Sequence, residues 1–169
     1  MKRLAILACA ALLMAGCGSN NNPNGPSNQP TVFTVALRAS NEVPPVTNAD
    51  TNATGTAVIT VNTVRDSSGN ITSGTLDFNV TMSGFPNDTK LTGAHIHPGS
   101  AGNTGSVLVG VITSGDNITL PNGSGSFTKT GLTAPNVTDL QNIANNPQNF
   151  YFNVHTTINP SGAIRGQLR

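Results

Sequence analysis

Apolar and polar residues alternate with a period of two along run after run of this chain, and turn-forming residues separate the runs. Phe33, Val35 and Leu37 form one such set, Ala57, Ile59 and Val61 a second, and Leu76, Phe78, Val80 and Met82 a third. Successive side chains of a strand point to opposite faces, so this period predicts half-buried strands and excludes amphipathic helices over the same residues. Asp66-Ser67-Ser68-Gly69-Asn70 reads as a hairpin loop, and Pro86-Asn87-Asp88 and Pro121-Asn122-Gly123 read as turns. Residues 107–112 are apolar on both faces, which predicts an interior strand packed on two sides or lying beside a long covering loop. Residues 123–130 form a weaker strand anchored by Phe127. Only 136–145 reads as helix, with Asn136 as its cap, Val137, Leu140, Ile143 and Ala144 on one side, and Asn146-Pro147 as its stop. The sum is an all-β, antiparallel sandwich or barrel with one short helix near 136–145.

The N-terminus concerns compartment rather than fold. Lys2 and Arg3 precede an apolar stretch, Leu4 to Leu13, that is too short to span a bilayer as a helix. Met14-Ala15-Gly16-Cys17 resembles a bacterial lipobox, with Met14 where Leu is usual. The resemblance implies a signal peptide over 1–16 and a lipidated Cys17 as the mature N-terminus; the alternative is an ordinary secretory signal cut near Ala15. Gly18 after the cysteine resembles the pattern of lipoproteins sorted to the outer membrane, which implies a protein anchored in the bacterial cell envelope. Residues 17–30 then form a tether, since 19–30 hold no apolar side chain except proline. As a flexible coil this segment reaches on the order of 20 Å. Cys9 leaves with the signal and Cys17 carries lipid, so the domain from 31 to 169 has no cysteine for a disulfide.

Charge is scarce. Beyond Lys2 and Arg3, six Lys/Arg face seven Asp/Glu with no run of one sign. That leaves no basic footprint for nucleic acid and no polybasic membrane patch. Phosphate-binding glycine motifs and nucleophile elbows are absent, and the acidic residues are too scattered to nominate a catalytic pair.

The three histidines are what remains. They fall in Gly93-Ala94-His95-Ile96-His97-Pro98-Gly99 and Phe150-Tyr151-Phe152-Asn153-Val154-His155-Thr156. On strands, parity sets His95 and His97 opposite Ala94 and Ile96, and sets Tyr151, Asn153 and His155 opposite Phe150, Phe152 and Val154. The imidazoles thus face away from the core as a surface constellation. Residues i and i+2 on a strand lie about 7 Å apart, close enough for two rings to lean onto one ion at about 2.0 Å from each nitrogen. A third ring from a neighbouring strand leaves a fourth position open, and imidazole suits copper, zinc, nickel or iron. In the structural alternative, His95 and His97 bond to the loop at 98–105 and His155 pairs with Asn153 or Tyr151. Arg165 has the parity to share the histidine face, where simple hairpin register puts it near Asn153 or His155 and where it can hold a substrate or other anion. A salt bridge from Arg165 to Glu42 is the competing expectation, favoured because so few charges are present.

These motifs together resemble the CHRD (chordin-type) domain over about 33–169. The resemblance rests on Asn41-Glu42-Val43-Pro44-Pro45-Val46, GAHIHPG, Gly102-Asn103-Thr104-Gly105, YFNVHT, Asn159-Pro160-Ser161-Gly162 and Ile164-Arg165-Gly166-Gln167-Leu168. It implies a Greek-key sandwich or barrel, immunoglobulin-like or superoxide-dismutase-like, and leaves the ligand unassigned. A fainter likeness to copper/zinc superoxide dismutases matches His95 and His97 to a His-x-His copper strand, His155 to a later Val-His pair, and Arg165 to an anion-guiding arginine. The bridging histidine, the zinc-loop histidines and the disulfide of those enzymes have no counterpart. The first expectation is therefore a non-catalytic envelope module that binds a protein, polysaccharide or small ligand. The alternative is a copper- or zinc-binding redox or metal-handling domain.

Overall fold

Strand β1 (Thr31–Arg38) buries Phe33, Val35 and Leu37 and exposes the residues between them. β2 (Thr54–Arg65) and β3 (Ile71–Ser83) continue the same face, with Phe33 opposite Ile59 and Ile59 opposite Phe78 in antiparallel register. The computed structural model describes residues 27–169. The expected signal segment, the lipidated Cys17 and the tether as far as residue 26 lie outside the described residues. The other elements are β4 (Thr89–Pro98), β5 (Val109–Thr113), β6 (Thr119–Leu120), β7 (Gly125–Leu132), α1 (Val137–Asn145), β8 (Phe150–Thr156) and β9 (Ile164–Gln167).

Hydrogen bonds join the strands in the order β5-β4-β8-β9-β1-β2-β3-β7, with β6 beside β4, and every pairing is antiparallel. The last strand returns beside the first and β8 returns beside β4, so long connections cross the ends in Greek-key fashion. The sheet curls until it nearly closes into a barrel. Phe78 of β3 and Phe152 of β8, with three strands between them on the path, meet across the interior with ring centroids 5.7 Å apart. Around them pack Leu37, Ile59, Leu76, Ile96, Ile112 and Ile164, all fully enclosed.

Local chemistry closes the ends. Asp66 Oδ1 accepts from the backbone N–H groups of Ser68 and Asn70, holding the β2–β3 hairpin loop. The Asn136 side chain accepts from Asp139 N at 3.0 Å, satisfying one free donor of the first turn of α1. Leu140 and Ile143 then cover one end of the barrel beside β3.

Two expectations change. Residues 107–112 do not form an interior strand: β5 begins at Val109 and lies at an edge of the path, and Val107 is exposed. The doubled apolar pattern reflects a bulge, because Ala94 pairs with Ile112 and His95 with Gly110. Val111 is skipped, so Val111 and Ile112 both turn inward. Second, the polar face of β8 is not open. Every residue from Phe150 to Thr156 is buried. The histidine face looks away from the apolar core, as parity requires, but into a second, polar layer under loops.

Candidate metal centre

β4 and β8 lie side by side with His95 opposite Asn153 and His97 opposite Tyr151, and β9 on the far side of β8 places Arg165 opposite Asn153. Three segments fold over this face. Residues 99–105 follow β4, residues 39–45 follow β1, and the turn at 159–162 joins β8 to β9. They attach mainly through backbone carbonyls. His97 Nδ1 donates to Gly105 O at 2.9 Å, His155 Nδ1 donates to Pro160 O at 3.0 Å, and Arg165 donates to Asn103 O at 2.7 Å.

These bonds fix the tautomers. A carbonyl only accepts, so His97 and His155 each carry their proton on Nδ1 and turn a bare Nε2 lone pair inward. Nε2 of His97 is buried with no partner. Nε2 of His155 faces His95 Nδ1 at 3.0 Å and Asn153 Oδ1 at 3.0 Å. The lone pair of His155 and the amide oxygen are both acceptors. A cation satisfies that pair as found; without one, His95 donates from Nδ1 to the His155 lone pair, and the amide turns so that its NH₂ faces the ring. One nitrogen from each of His95, His97 and His155 lies within 4.8 Å of the others, close to what a shared ion needs after a small shift of the rings. A carbonyl bond on the far nitrogen is the usual way a protein orients a metal-binding imidazole. Of the bonds expected under the structural alternative, His97 to the loop at 98–105 and His155 to Asn153 are present, whereas His95 bonds to His155 and not to the loop; His97 Nε2 is left without a partner.

Room for the His95 ring comes from Gly93. A Cβ there would meet Cε1 of that ring at 2.8 Å and Nε2 at 3.1 Å. Burial pushes the pKa of all three imidazoles down, His95 to about 4 with the neighbouring His155 and His97 adding to the effect. The site is therefore neutral near pH 7, which is the state that ligates metal.

Arg165 is buried but does not reach the imidazoles. Its guanidinium carbon sits 3.4 Å from the Tyr151 ring centroid, and Tyr151 in turn stacks on His97 at 4.9 Å with an interplanar angle of 2°. Nor does Arg165 form the expected salt bridge to Glu42; among the described residues the ion pair is Lys129–Asp116. Glu42 instead rests against the bare Cα of Gly162, where a Cβ would lie 2.5 Å from its Oε1. That oxygen is buried without a partner. Burial raises the Glu42 pKa to about 7, with Arg165 and the Asn153 amide opposing the rise. The two residues share the wall of a cleft of about 460 Å³ that also meets Asn41, Pro45, Gly102 and Arg169, but this lining does not include the imidazoles.

Sequence reasoning overlooked Gly93 and the stack through Tyr151. Both carried signals, since Gly93 shares parity with His95 and Tyr151 shares parity with His155. No curated protein and no solved structure matches the chain. A family model described as the CHRD domain matches residues 33–168, most of the chain and all the residues of the site. The chain, with its histidine pair on β4, its third histidine on β8 and its covering loops, belongs to the CHRD domain family.

Proposed function

We propose that this protein is a transition-metal-binding module of the bacterial cell envelope, holding copper or zinc through His95, His97 and His155 and anchored to the membrane through lipid on Cys17. The observation that carries the metal reading is the inward lone pair on Nε2 of His97, buried and unpartnered beside two other imidazoles whose nitrogens lie within 4.8 Å. Leaving such a group unsatisfied costs about 1–3 kcal/mol, and a metal ion removes that cost. Tautomers locked by Gly105 O and Pro160 O mean that little reorganisation precedes binding.

A non-catalytic role fits the enclosure. His97 and His155 are under 10 % exposed, and the neighbouring cleft stops at Arg165 and Glu42. A protein or polysaccharide ligand would therefore seat beside the ion rather than on it. Anchoring is supported by the lipobox-like Met14-Ala15-Gly16-Cys17, and outer-membrane sorting by Gly18.

Metal analysis of the full chain after exhaustive dialysis tests the first part. One equivalent of copper or zinc should stay bound, and His97→Ala and His155→Ala should each release it. Sub-stoichiometric metal in the unmutated chain, or undiminished metal in both variants, ends the reading. Metabolic labelling with a fatty acid tests the second part, with label expected on the chain and lost in Cys17→Ser.

A further inference from the structure

We infer that the centre selects the singly charged copper(I) ion over copper(II) and zinc(II). This rests on the imidazole cluster being a metal site and concerns which ion it takes. Imidazole accommodates all three ions, so discrimination falls to coordination number and charge.

The donor set is small and neutral. Among the described residues the cluster contains His95, His97 and His155 with no carboxylate or thiolate. The one further donor at hand is the Asn153 amide oxygen, 3.0 Å from His155 Nε2, and it is also uncharged. Zinc(II) in proteins is almost always at least four-coordinate, and its open sites complete the shell with water. A closed-shell monovalent copper ion is satisfied by three nitrogens. His97 and His155 are buried, His95 is half-buried, and the neighbouring cleft does not reach the imidazoles, so access for the water that a divalent ion would need is restricted to the side of His95.

Charge acts in the same direction. Every positive charge brought into this layer is desolvated, and no negative group touches the ion to offset it. The charged residues around the layer are Arg165, Glu42 and Asp50. Asp50 Oδ2 accepts from Thr156 Oγ1 at 2.7 Å and from Asn159 Nδ2 at 2.6 Å, its Oδ1 is buried without a partner, and its carboxylate is not part of the imidazole cluster. Glu42 sits against Gly162 and not against an imidazole. Whether Glu42 is ionised or protonated, the ion has only neutral ligands. Arg165 adds direct repulsion. Along the stack, 3.4 Å from guanidinium to Tyr151 and 4.9 Å from Tyr151 to His97 put its charge about 8 Å from the His97 ring. At about 10 Å from the ion and an effective dielectric of about 20, each additional unit of charge on the ion lowers affinity by about an order of magnitude.

The test titrates the metal-free full chain. Copper(I) is added anaerobically in competition with bicinchoninate, and zinc(II) and copper(II) in competition with a colorimetric chelator of known affinity. The expected result is one copper(I) per chain, bound at least about tenfold tighter than either divalent ion. Arg165→Gln should narrow that ratio by about tenfold, whereas Arg169→Gln, at an exposed position lining the same cleft, should leave it unchanged. Divalent ions bound one per chain with equal or greater affinity overturn the selectivity and leave the metal site standing. No binding of any of the three ions overturns both. Should Arg165→Gln fail to fold, the ratio measured on the unmutated chain decides the matter by itself.

Discussion

Glu42→Gln should make the protein more resistant to unfolding at pH 8 relative to the unmutated chain than it does at pH 4.5, and the change in that difference is set by the buried carboxyl. Glu42 is only 7 % exposed, and its Oε1 has no hydrogen-bond partner. Its pKa is about 7 in the folded protein against a reference of 4.5. Between those values the unfolded chain has lost the proton while the folded chain retains it. The folded state then binds more protons, so stability attributable to this group is full below pH 4.5 and drains away as pH rises to 7. Each pKa unit is worth about 1.4 kcal/mol, which makes the loss about 3 kcal/mol on reaching pH 8. Glutamine has nearly the same shape and no proton to lose, so it escapes that loss. Any constant effect of the new amide against Gly162 cancels when the two pH values are compared. Urea unfolding of the metal-free chain and its variant at pH 4.5 and pH 8 reads the difference directly. With a slope of about 1–3 kcal/mol per molar urea, the gap between their midpoints should widen in the variant's favour by about 1–3 M. A gap that stays constant between the two pH values would refute the argument, and so would one that moves against the variant at pH 8.

Three further outcomes follow from the same geometry. The metal-free chain should lose stability as pH falls from about 6.5 towards 4, because the unfolded histidines take up protons there while the buried, pKa-lowered imidazoles do not; urea midpoints measured in the Glu42→Gln background isolate this effect. Gly93→Ala should lower metal affinity by more than about tenfold while the far-ultraviolet circular dichroism spectrum is retained, since its Cβ would lie 2.8 Å from Cε1 of the His95 ring. Asn136→Ala should reduce stability by about 1 kcal/mol in equilibrium denaturation, through the lost cap to Asp139 N.

Most of the barrel was legible because its core obeys a local rule. Phe33, Val35 and Leu37 declare their inward face within a stretch of five residues, and Asn136 marks the start of α1 by its own hydrogen-bonding chemistry. The exception at 107–112 has a local cause, since a bulge at Val111 breaks the period on which the inference rests. Parity also put His95, His97 and His155 on the non-core face. It could not show how fully this face is covered, because one of the three covering segments, residues 39–45, comes from far away in sequence. Asn41 Nδ2, for example, donates to Arg165 O across 124 positions. Glu42 carries the same lesson. Its negative charge and the positive charge of Arg165 made an ion pair reasonable, yet the seat left by Gly162 draws the carboxyl elsewhere, and no pattern of residue types announces such a seat.

The cover over the polar layer is held by main-chain atoms: Gly105 O, Asn103 O, Ser100 O, Gly99 O and Pro160 O are the acceptors that grip the histidines, Arg165 and Gln167. Any residue type supplies a carbonyl, provided the backbone path is kept. The side chains of Ser100, Ala101, Asn103 and Thr104 point out and are exposed. Evolution can therefore rewrite the outer surface of this loop, and whatever that surface meets, without altering the atoms that orient the imidazoles beneath. Glycine at 99 and 102, with φ of 146° and 84°, is what the path itself requires. Inner chemistry and outer recognition are in this way inherited on separate terms within the same few residues.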